Sequence, residues 1–483
     1  MLVRNVLVAL CLLTAAPAAQ ALPSFPGAEG FGTQTPGGRG GVILRVTNLN
    51  DSGPGSLRAA VQATGARIVI FDVSGTIQLS NWLIISNPYI AIAGQTAPSP
   101  GITLRGAGIS VGTNDVVIQH LRIRPGDDAA GAEPDNRDAL QILGSGGKRV
   151  VIDHNSFSWA IDENVSTWYS GVDEITLSHN IVSEGLSNSL HPKGEHSKGV
   201  LLGFSAHRVA ILGNLIADNV DRNPWFQDDV TGVLANNLIY NWRDISTAVG
   251  SDDPAECGAD GFKLSIVGNA YIPGPSTSYY AAIDHVIRDP CAGRQLYVSD
   301  NYLVNVTLID HETPSIMVTS PPVWPTPLTL VPGASAETRV LNTAGARHTD
   351  NDVVDQRIVS EVRARTGRII DSPSQVGGYP TLAQNTRTLT VPANPNGDDD
   401  GDGYTNIEEL LQQMAAQVEG SPAGSACDLN HDGVTNVVDV QGMVNQAIGV
   451  AACTADLNRD GLCNVIDVQR VVNAAQGGPC VSL

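Results

Sequence analysis

Positive charge is scarce in this chain. It has 28 lysine and arginine residues against 49 aspartate and glutamate residues, and its formal net charge is -21 at pH 7. A nucleic-acid backbone or an anionic bilayer needs a basic face on its partner. We therefore expect neither as a partner. An acidic polymer would have to be bound through local cations or a metal ion.

Long apolar runs are missing after the first residues. Residues 1–21 combine Arg4, an apolar stretch over 6–15 and the ending Ala19-Gln20-Ala21, which is the pattern of a secretory signal peptide with its cleavage site. No later stretch reaches the roughly 20 apolar residues that a membrane span requires. The sequence predicts a secreted, extracellular, monomeric protein that is not held in a membrane.

Cysteine is rare, and several motifs of catalytic chemistry are absent. Of seven cysteines, Cys11 lies in the predicted signal peptide, so an even number remains and disulfides are expected. Cys257 and Cys291 would close a long loop of the main body, whereas the pairing of the other four stays open: Cys427, Cys453, Cys463 and Cys480. We find no nucleophile elbow, phosphate loop or zinc-spaced Cys/His set.

A short apolar pattern ending in asparagine repeats between about residues 100 and 305. Its copies end at Asn155, Asn180, Asn214, Asn237, Asn269 and Asn301. The separations of about 23 to 34 residues are typical of solenoids, in which each strand is too short to form a core alone. The pattern predicts a parallel β-helix with asparagines at its corners. A β-sandwich is the alternative, but the hairpin turns that it needs are scarce here.

The composition divides the chain into four segments. We predict a signal peptide over 1–21, a β-helix over 22–393, a calcium loop with a linker over 394–423, and a small α-helical calcium-binding domain over 424–483. Within the main body, the proline-rich stretch 321–335 should be extended and pack along the β-helix. The apolar spacing over 352–366 predicts a helix that docks after the last coils.

The segment 394–423 contains an EF-hand pattern. Asp398, Asp400, Asp402, Tyr404 and Glu409 occupy loop positions 1, 3, 5, 7 and 12, with glycine at position 6. Two further loops follow, with ligand positions at Asp428, Asn430, Asp432, Asn436 and Asp439, and at Asp456, Asn458, Asp460, Asn464 and Asp467. The three loops predict calcium binding. The alternative is an acidic tail that is only solvated.

The last two loops and the apolar segments behind them resemble a type I dockerin. This resemblance covers about the last 57 residues and implies a duplicated loop-and-helix domain that docks onto a cohesin-type scaffold partner. Val437-Val438 and Val465-Ile466 stand where many dockerins carry small hydroxyl residues. The alternative is a terminal cap, stapled by calcium and disulfides, that binds no partner.

Acidic residues precede basic residues between positions 138 and 224. The carboxylates come first and the cationic or imidazole groups follow: Asp138, Asp153, Asp162 and Glu163, then His191, Lys193, His196, Lys198 and Arg222. Carboxylates can hold calcium, and cations can bind an anionic sugar. We expect Asp153 and His154 to be structural and Trp159 to have a packing role rather than to stack on sugar rings.

Four motifs make the main body resemble polysaccharide lyase family 1, the pectate lyases. They lie at 25–32 (FPGAEGFG), 46–61 (VTNLNDSGPGSLRAAV), 152–163 (IDHNSFSWAIDE) and 221–224 (DRNP), and the resemblance covers about residues 24–390. It implies an all-β fold of the right-handed parallel β-helix type in an extracellular setting, with calcium (Ca2+) as cofactor. It also implies β-elimination on polygalacturonate or pectin.

The resemblance assigns roles residue by residue. Asp138 corresponds to a calcium aspartate of the family, and Asp162 or its neighbour Glu163 to the first of two paired acids on the next coil. The second acid is absent, because Ser166 follows Asp162 by four residues and Thr167 follows Glu163 by four. We take Asp138, Asp162 and Glu163 as the predicted calcium ligands.

The basic residues complete the predicted site. Lys198 corresponds to a substrate-binding lysine and Arg222 to the arginine regarded as the base, while Trp225 and Gln227 replace two later arginines of that motif. His191 and Lys193 are further expected to bind substrate or, alternatively, to be solvated loop residues.

Two other functions are compatible with the sequence. A β-helix hydrolase of pectin would need close carboxylates, and Asp162-Glu163 with Asp228-Asp229 could supply them, but Arg222 would then have no role. A non-catalytic, calcium-dependent carbohydrate-binding or adhesin protein is the other alternative. Only the lyase forms an unsaturated product.

Overall fold

The protein is represented by a computed structural model. It describes residues 22–203, 205–227, 229–251, 257, 261–285, 291–311, 314–350, 352–420, 427, 429, 435–458, 461–475 and 480. The predicted signal peptide lies outside these residues, as do four predicted calcium ligands of the tail: Asp428, Asn430, Asp432 and Asp460.

Three parallel sheets form the main body, and successive strands of the chain pass from the first sheet to the second and then the third. Such a path winds the chain into coils, each stacked on the coil before it. The parallel β-helix that the repeats predict is therefore confirmed. Connections between parallel strands of the same sheet are right-handed in about 98% of cases.

The first sheet holds the strands that lead into the repeated asparagines. Its strands, numbered in chain order with those of the other sheets, are β1 (Val42–Val46), β2 (Arg67–Phe71), β5 (Ile90–Ala93), β8 (Val116–Gln119), β11 (Lys148–Asp153), β14 (Asp173–Ser178), β17 (His207–Leu212), β20 (Thr231–Ala235), β23 (Lys263–Val267) and β26 (Gln295–Ser299).

The second sheet follows each asparagine corner with a short strand. Its strands are β3 (Gly75–Gln78), β6 (Ile102–Arg105), β9 (Leu121–Arg124), β12 (Ser156–Ser158), β15 (Ile181–Ser183), β18 (Leu215–Ala217), β21 (Leu238–Tyr240), β24 (Ala270–Ile272) and β27 (Tyr302–Leu303).

The third sheet completes each coil. Its strands are β4 (Leu83–Ile85), β7 (Ile109–Val111), β10 (Leu140–Leu143), β13 (Glu163–Trp168), β16 (Lys198–Leu202), β19 (Trp225–Phe226), β22 (Thr247–Val249), β25 (Ala281–His285) and β28 (Thr307–Asp310).

The repeated asparagines form a hydrogen-bonded ladder inside the corner between the first two sheets. The backbone N–H of each donates to the side-chain oxygen of the next: Asn155 to Asn180, Asn180 to Asn214, Asn214 to Asn237, Asn237 to Asn269 and Asn269 to Asn301. Because this corner buries backbone groups, the amides satisfy donors and acceptors that would otherwise be costly. The predicted position of the asparagines at the corners is confirmed.

Apolar side chains fill the inside of the coils from Val46 to Leu296 in one continuous core. The side chain of Trp159 is fully buried in a second cluster, which strands of the second sheet form with residues of 336–370, and its indole N–H donates to Glu184 at 2.9 Å. Its predicted packing role is confirmed. Asp153 and His154 are also buried, and they hydrogen-bond to each other. Their predicted structural role agrees with this placement.

Six α-helices accompany the coils in the described part of the chain: α1 (Leu57–Gln62), α2 (Gly333–Thr343), α3 (Val353–Ala364), α4 (Asn406–Glu419), α5 (Val437–Ala447) and α6 (Val465–Ala475). The predicted helix after the last coils is α3, which Asp352 caps by accepting two backbone N–H bonds. None of these helices is long and apolar enough to cross a membrane.

Two segments pack on the outside of the first sheet. Trp324 and Leu328 of the proline-rich stretch pack against a cluster that includes Ala210, as predicted. Helix α4 packs through Ile407 and Leu411 on the outer face of the early strands. The segment predicted as a calcium loop and linker is thus in direct contact with the β-helix.

The tail has a core of its own between α5 and α6. Met443 and Val471 are fully buried there, beside the disulfide of Cys427 and Cys480. A second tail disulfide joins Cys453 to Cys463, and in the main body Cys257 joins Cys291 as predicted. The tail pairing that the sequence left open is thereby defined.

Candidate active site

Charged residues form a column along the edge where strands of the third sheet begin. β13 begins at Glu163 and β16 at Lys198, and these two residues pair across the ladder. Asp138, two residues before β10, accepts a hydrogen bond from the backbone N–H of Glu163 at 3.1 Å, and Lys198 pairs with Asp221 on the following coil. Stacking of coils therefore brings together residues that are distant in sequence.

Three carboxylates converge at the lower end of this column. Oxygen atoms of Asp138, Asp162 and Glu163 lie within 4.8 Å of one another, and all three residues are buried. Oε2 of Glu163 is buried without a hydrogen-bond partner. A buried anionic oxygen without a donor is a group that a cation would satisfy, and three carboxylates are the hard oxygen ligands that calcium prefers. The side chains present fit a calcium ion.

The electrostatics of Asp138 reflect this crowding. Burial, and then the neighbouring charge of Asp162, hold the pKa of Asp138 well above its usual range. Hydrogen bonds from Ser166 and Gln141 and the charge of Arg222 act in the opposite direction. The Ser166 hydroxyl, at the position where the second family acid is absent, donates to Asp138 at 2.5 Å.

Arg222 faces the carboxylates from a later coil. Its guanidinium donates to Oε1 of Glu163 and lies 5.2 Å from the centre of the Trp225 ring. Its φ of +59° is in the left-handed region, as it is for other residues at the ends of strands in these coils, such as His154 and His179. About a fifth of its side chain (22%) is exposed, so solvent or a ligand can reach it.

Lys198 is held by a carboxylate of the next coil. Its ammonium donates to Oδ2 of Asp221 at 2.7 Å, and only 14% of the lysine side chain is exposed. Burial raises the pKa of Asp221, although the charge and hydrogen bond of Lys198 oppose this. Lys198 thus lies between Glu163 of the preceding coil and Asp221 of the following coil.

Loop residues 186–197 cover one side of the cluster. Nε2 of His191 lies 3.2 Å from the backbone oxygen of Asp135, and its ring stacks on His196 at 3.4 Å. Nε2 of His196 is 3.3 Å from Oδ1 of Asp162. Burial, and then the charge of His196, lower the pKa of His191. His191 is therefore next to the carboxylates.

Lys193 lies at the rim. Its side chain is 71% exposed, and its ammonium is 3.4 Å from Oδ1 of Asp135. The structure therefore groups the predicted residues around one cluster, with Lys193 as the outermost member. Asp229, which the hydrolase alternative invokes, instead lies 3.8 Å from His207, and its neighbour Asp228 is outside the described residues.

Sequence reasoning missed two contributors to this cluster. One is Asp221, which directly precedes Arg222 in the DRNP motif and follows Lys198 by 23 positions, the length of one coil. Ser166 was noted only as a missing acid, yet its hydroxyl is the donor that holds Asp138. The spacing of one coil could have indicated Asp221. Nothing in the sequence indicates the hydrogen bond of Ser166.

The EF-hand-like loop has the turn that its pattern predicts. Oδ1 and Oδ2 of Asp398 accept from the backbone N–H groups of Gly401 and Gly403 at 2.7 and 3.1 Å. Burial, and then the charges of Asp400 and Asp402, raise the pKa of Glu409. The acid at loop position 12 is thus close to the aspartates that would share a cation with it.

The two tail loops are alike where they are described. The carboxylate of Asp439 is buried and accepts from the backbone N–H groups of Leu429 and Asn436, and Asp467 does the same with those of Leu457 and Asn464. The predicted ligands Asn458 and Asp456 lie in the second loop, where Oδ2 of Asp456 accepts from the N–H of Gly461. The repeat in the sequence is therefore a repeat in local structure.

Among solved structures, a pectate lyase from Bacillus subtilis superposes with a TM-score of 0.47 and 16% identity, covering 69% of this chain and 99% of that one. No protein-family model matches the chain.

Two fungal proteins are similar over most of the sequence. A probable pectate lyase C from Aspergillus fumigatus is 35% identical over 407 residues, which cover 81% of this chain and 88% of that protein. A probable pectate lyase C from Neosartorya fischeri is 35% identical over 414 residues, with the same coverage of 81% and 88%. Together with its β-helix, this similarity shows that the chain belongs to the pectate lyase family of polysaccharide lyases.

Proposed function

We propose that this protein is a secreted pectate lyase that cleaves polygalacturonate by calcium-assisted β-elimination. The observation that carries the proposal is the convergence of three buried carboxylates, Asp138, Asp162 and Glu163, beside the side chains of Arg222 and Lys198. Family membership supports the same reaction.

The three carboxylates would hold calcium. A bound calcium would neutralise the uronate carboxylate of the sugar and so acidify the proton α to it. Lys198, beside the cluster, would hold the same carboxylate as it gains negative charge, because a positioned cation stabilises charge that develops in the transition state. His191 and Lys193 would bind neighbouring parts of the polymer at the side of the cleft.

Arg222 would take the α proton, the electron pair of that C–H bond would form the C=C bond of an unsaturated sugar, and the glycosidic oxygen would leave and take up a proton from water. A guanidinium normally keeps its proton, so the base must act in a strongly cationic setting or position a hydroxide. In the structure Glu163 pairs with Arg222. A cation that engages Glu163 would weaken this pair and free the guanidinium for the substrate.

The Arg222→Lys variant tests this assignment. Lysine keeps the charge but loses the planar fork, so we expect turnover of polygalacturonate to fall at least about 100-fold. The measurement is ultraviolet absorbance of the unsaturated product, with circular dichroism to verify the fold. Near-normal turnover would refute the role of Arg222.

Arg208→Lys is the matched control. Arg208 also has a positive φ, +48°, and also pairs with a carboxylate, that of Asp173, but it lies on the first sheet and is about half exposed. Its substitution should leave turnover unchanged. An equal loss in both variants would indicate a general effect of arginine replacement and not a catalytic one.

For the tail, we propose calcium binding and docking to a cohesin-type partner. The equivalent positions of Asp439 and Asp467 in the two loops support calcium binding. Val437 and Val465 start their helices with 75% and 76% of their surface exposed, which supports contact with a partner. Binding of the full chain to a panel of cohesin domains, with calcium and after chelation, tests this. Calcium uptake by the tail without binding to any cohesin would support the terminal cap instead.

A further inference from the structure

Three stacked histidines follow strands of the first sheet, away from the third-sheet edge that carries the proposed active site. His120, His154 and His179 lie on successive coils, with ring centres 5.4 and 4.7 Å apart. The side chain of His120 is fully buried and that of His154 is 10% exposed. The proposed lyase reaction uses none of them.

A carboxylate from a distant segment meets this stack. Glu419 is the last residue of α4, and its Oε1 lies 3.2 Å from Nε2 of His120 and 3.6 Å from Nδ1 of His154. Oδ2 of Asp153 lies 2.9 Å from the same nitrogen of His154. His120, His154 and Glu419 thus converge where the end of α4 contacts the β-helix, and Asp153 lies beside His154.

The hydrogen bonds of His120 leave one of its nitrogens unsatisfied. Nδ1 is 2.6 Å from the backbone oxygen of Ala346, and because a carbonyl only accepts, Nδ1 carries the proton. Nε2 of the neutral ring then presents a lone pair toward Glu419, and it is buried without a hydrogen-bond partner. Two facing lone pairs repel, so this arrangement needs either a proton on Nε2 or a metal ion between the two atoms.

A divalent ion would balance the charges of this cluster. Asp153 and Glu419 bring two negative charges into a largely buried site, and two protonated imidazoles are one way to compensate them. A divalent cation bound by neutral imidazoles neutralises both. The carboxylate of Asp153 also accepts hydrogen bonds from the Gln119 amide at 3.0 Å and from the Ser178 hydroxyl at 2.7 Å. Carboxylates in metal sites are commonly hydrogen-bonded in this way.

We propose that His120, His154 and Glu419, with Asp153 as the fourth ligand, form a site for a divalent transition metal ion of the zinc type. Ligand atoms around tetrahedral zinc are about 3.3 Å apart for bonds of about 2.0 Å. The observed separations of 2.9, 3.2 and 3.6 Å lie on both sides of this value. Imidazole nitrogens favour zinc over calcium. Since α4 starts beside the EF-hand-like loop, the ion would clip that segment to the β-helix.

The experiment measures zinc binding to the full, untagged chain with calcium in excess, so that calcium sites stay filled. We expect one tightly held equivalent of zinc and a higher unfolding temperature in its presence. Glu419→Gln keeps the shape of the side chain but removes its charge, and we expect it to weaken zinc binding by about tenfold or more. Zinc binding that Glu419→Gln leaves unchanged would overturn the proposal.

The second His–His–carboxylate group, Asp162 with His191 and His196, provides the control. His196→Gln should retain the tight zinc, and loss of zinc in this variant alone would overturn the assignment. Cobalt provides a readout that does not depend on a folded variant, because the unsubstituted chain should show the visible absorption of tetrahedral cobalt. Absence of that absorption would equally overturn it.

Discussion

Asp138→Asn should make the protein more stable without calcium and far less active with calcium. Three carboxylates lie within 4.8 Å of one another. Two unit charges at that separation repel by about 3 kcal/mol at an effective dielectric constant of about 20. Burial, and then the charge of Asp162, raise the pKa of Asp138, so both disfavour its ionised form. We therefore expect a net gain of about 1 kcal/mol in the free energy of unfolding.

The substitution can preserve the local contacts. The asparagine oxygen can still accept from the backbone N–H of Glu163, and the Ser166 hydroxyl can rotate to accept from the new amide. Loss of one ligand should lower calcium-dependent turnover by about 100-fold. The assays are urea unfolding in a chelator at neutral pH and product absorbance with calcium. A variant that is destabilised in the chelator, or is fully active with calcium, would refute the reasoning.

Three further predictions concern the corner, the α3 cap and the calcium loop. Asn214→Ala removes several buried hydrogen bonds and should lower the free energy of unfolding by about 3 kcal/mol. The loss should be smaller for Asn301→Ala, because Asn301 is at the end of the ladder. Equal losses of the two variants in urea unfolding would contradict this. Burial would raise the pKa of Asp352, but the charge of Arg124 holds this pKa below its usual range. The ionised Asp352 therefore stabilises the folded protein above about pH 4, and this stabilisation is lost as the pH falls further. Asp352→Asn should thus destabilise the protein at pH 7 and flatten the acid limb of the stability profile; an unchanged profile would contradict this. Asp400→Asn should remove one calcium from the titrated stoichiometry, and an unchanged stoichiometry would exclude that loop as a site.

The corner of the β-helix was predictable because its signal is local and repeated. Each copy places an asparagine directly after a short apolar strand, and the amide then bonds to its equivalent on the next coil, as for Asn180 and Asn214. One rule applied to many positions gives the stacking direction and the fold class. The helix after the coils was predictable for a similar reason, because its apolar spacing and its cap at Asp352 lie within the segment itself.

The site was predictable only in part, since it depends on register between coils of unequal length. The motifs identified Asp138, Glu163 and Arg222, but Lys198 pairs with Asp221 through the stacking of one coil on another. Coil lengths vary with the insertions, so a sequence does not specify which charges become neighbours. The side-chain hydrogen bond of Ser166 is beyond such reasoning, because a serine in a strand has many available partners.

The docking of α4 was not predictable from its own segment. Its apolar residues Ile407 and Leu411 could equally have faced α5 and α6 in the tail. Their observed partners, Ile68 and Ile70, are more than 300 residues earlier. Nothing within 394–423 encodes this choice, nor the approach of Glu419 to His120.

The most direct test of the account is the absorbance of the products that the protein forms from polygalacturonate, with calcium and after chelation. A calcium-assisted lyase predicts an unsaturated, ultraviolet-absorbing product that appears with calcium and disappears when calcium is removed. New reducing ends without that absorbance, or bound polymer without any product, would contradict it.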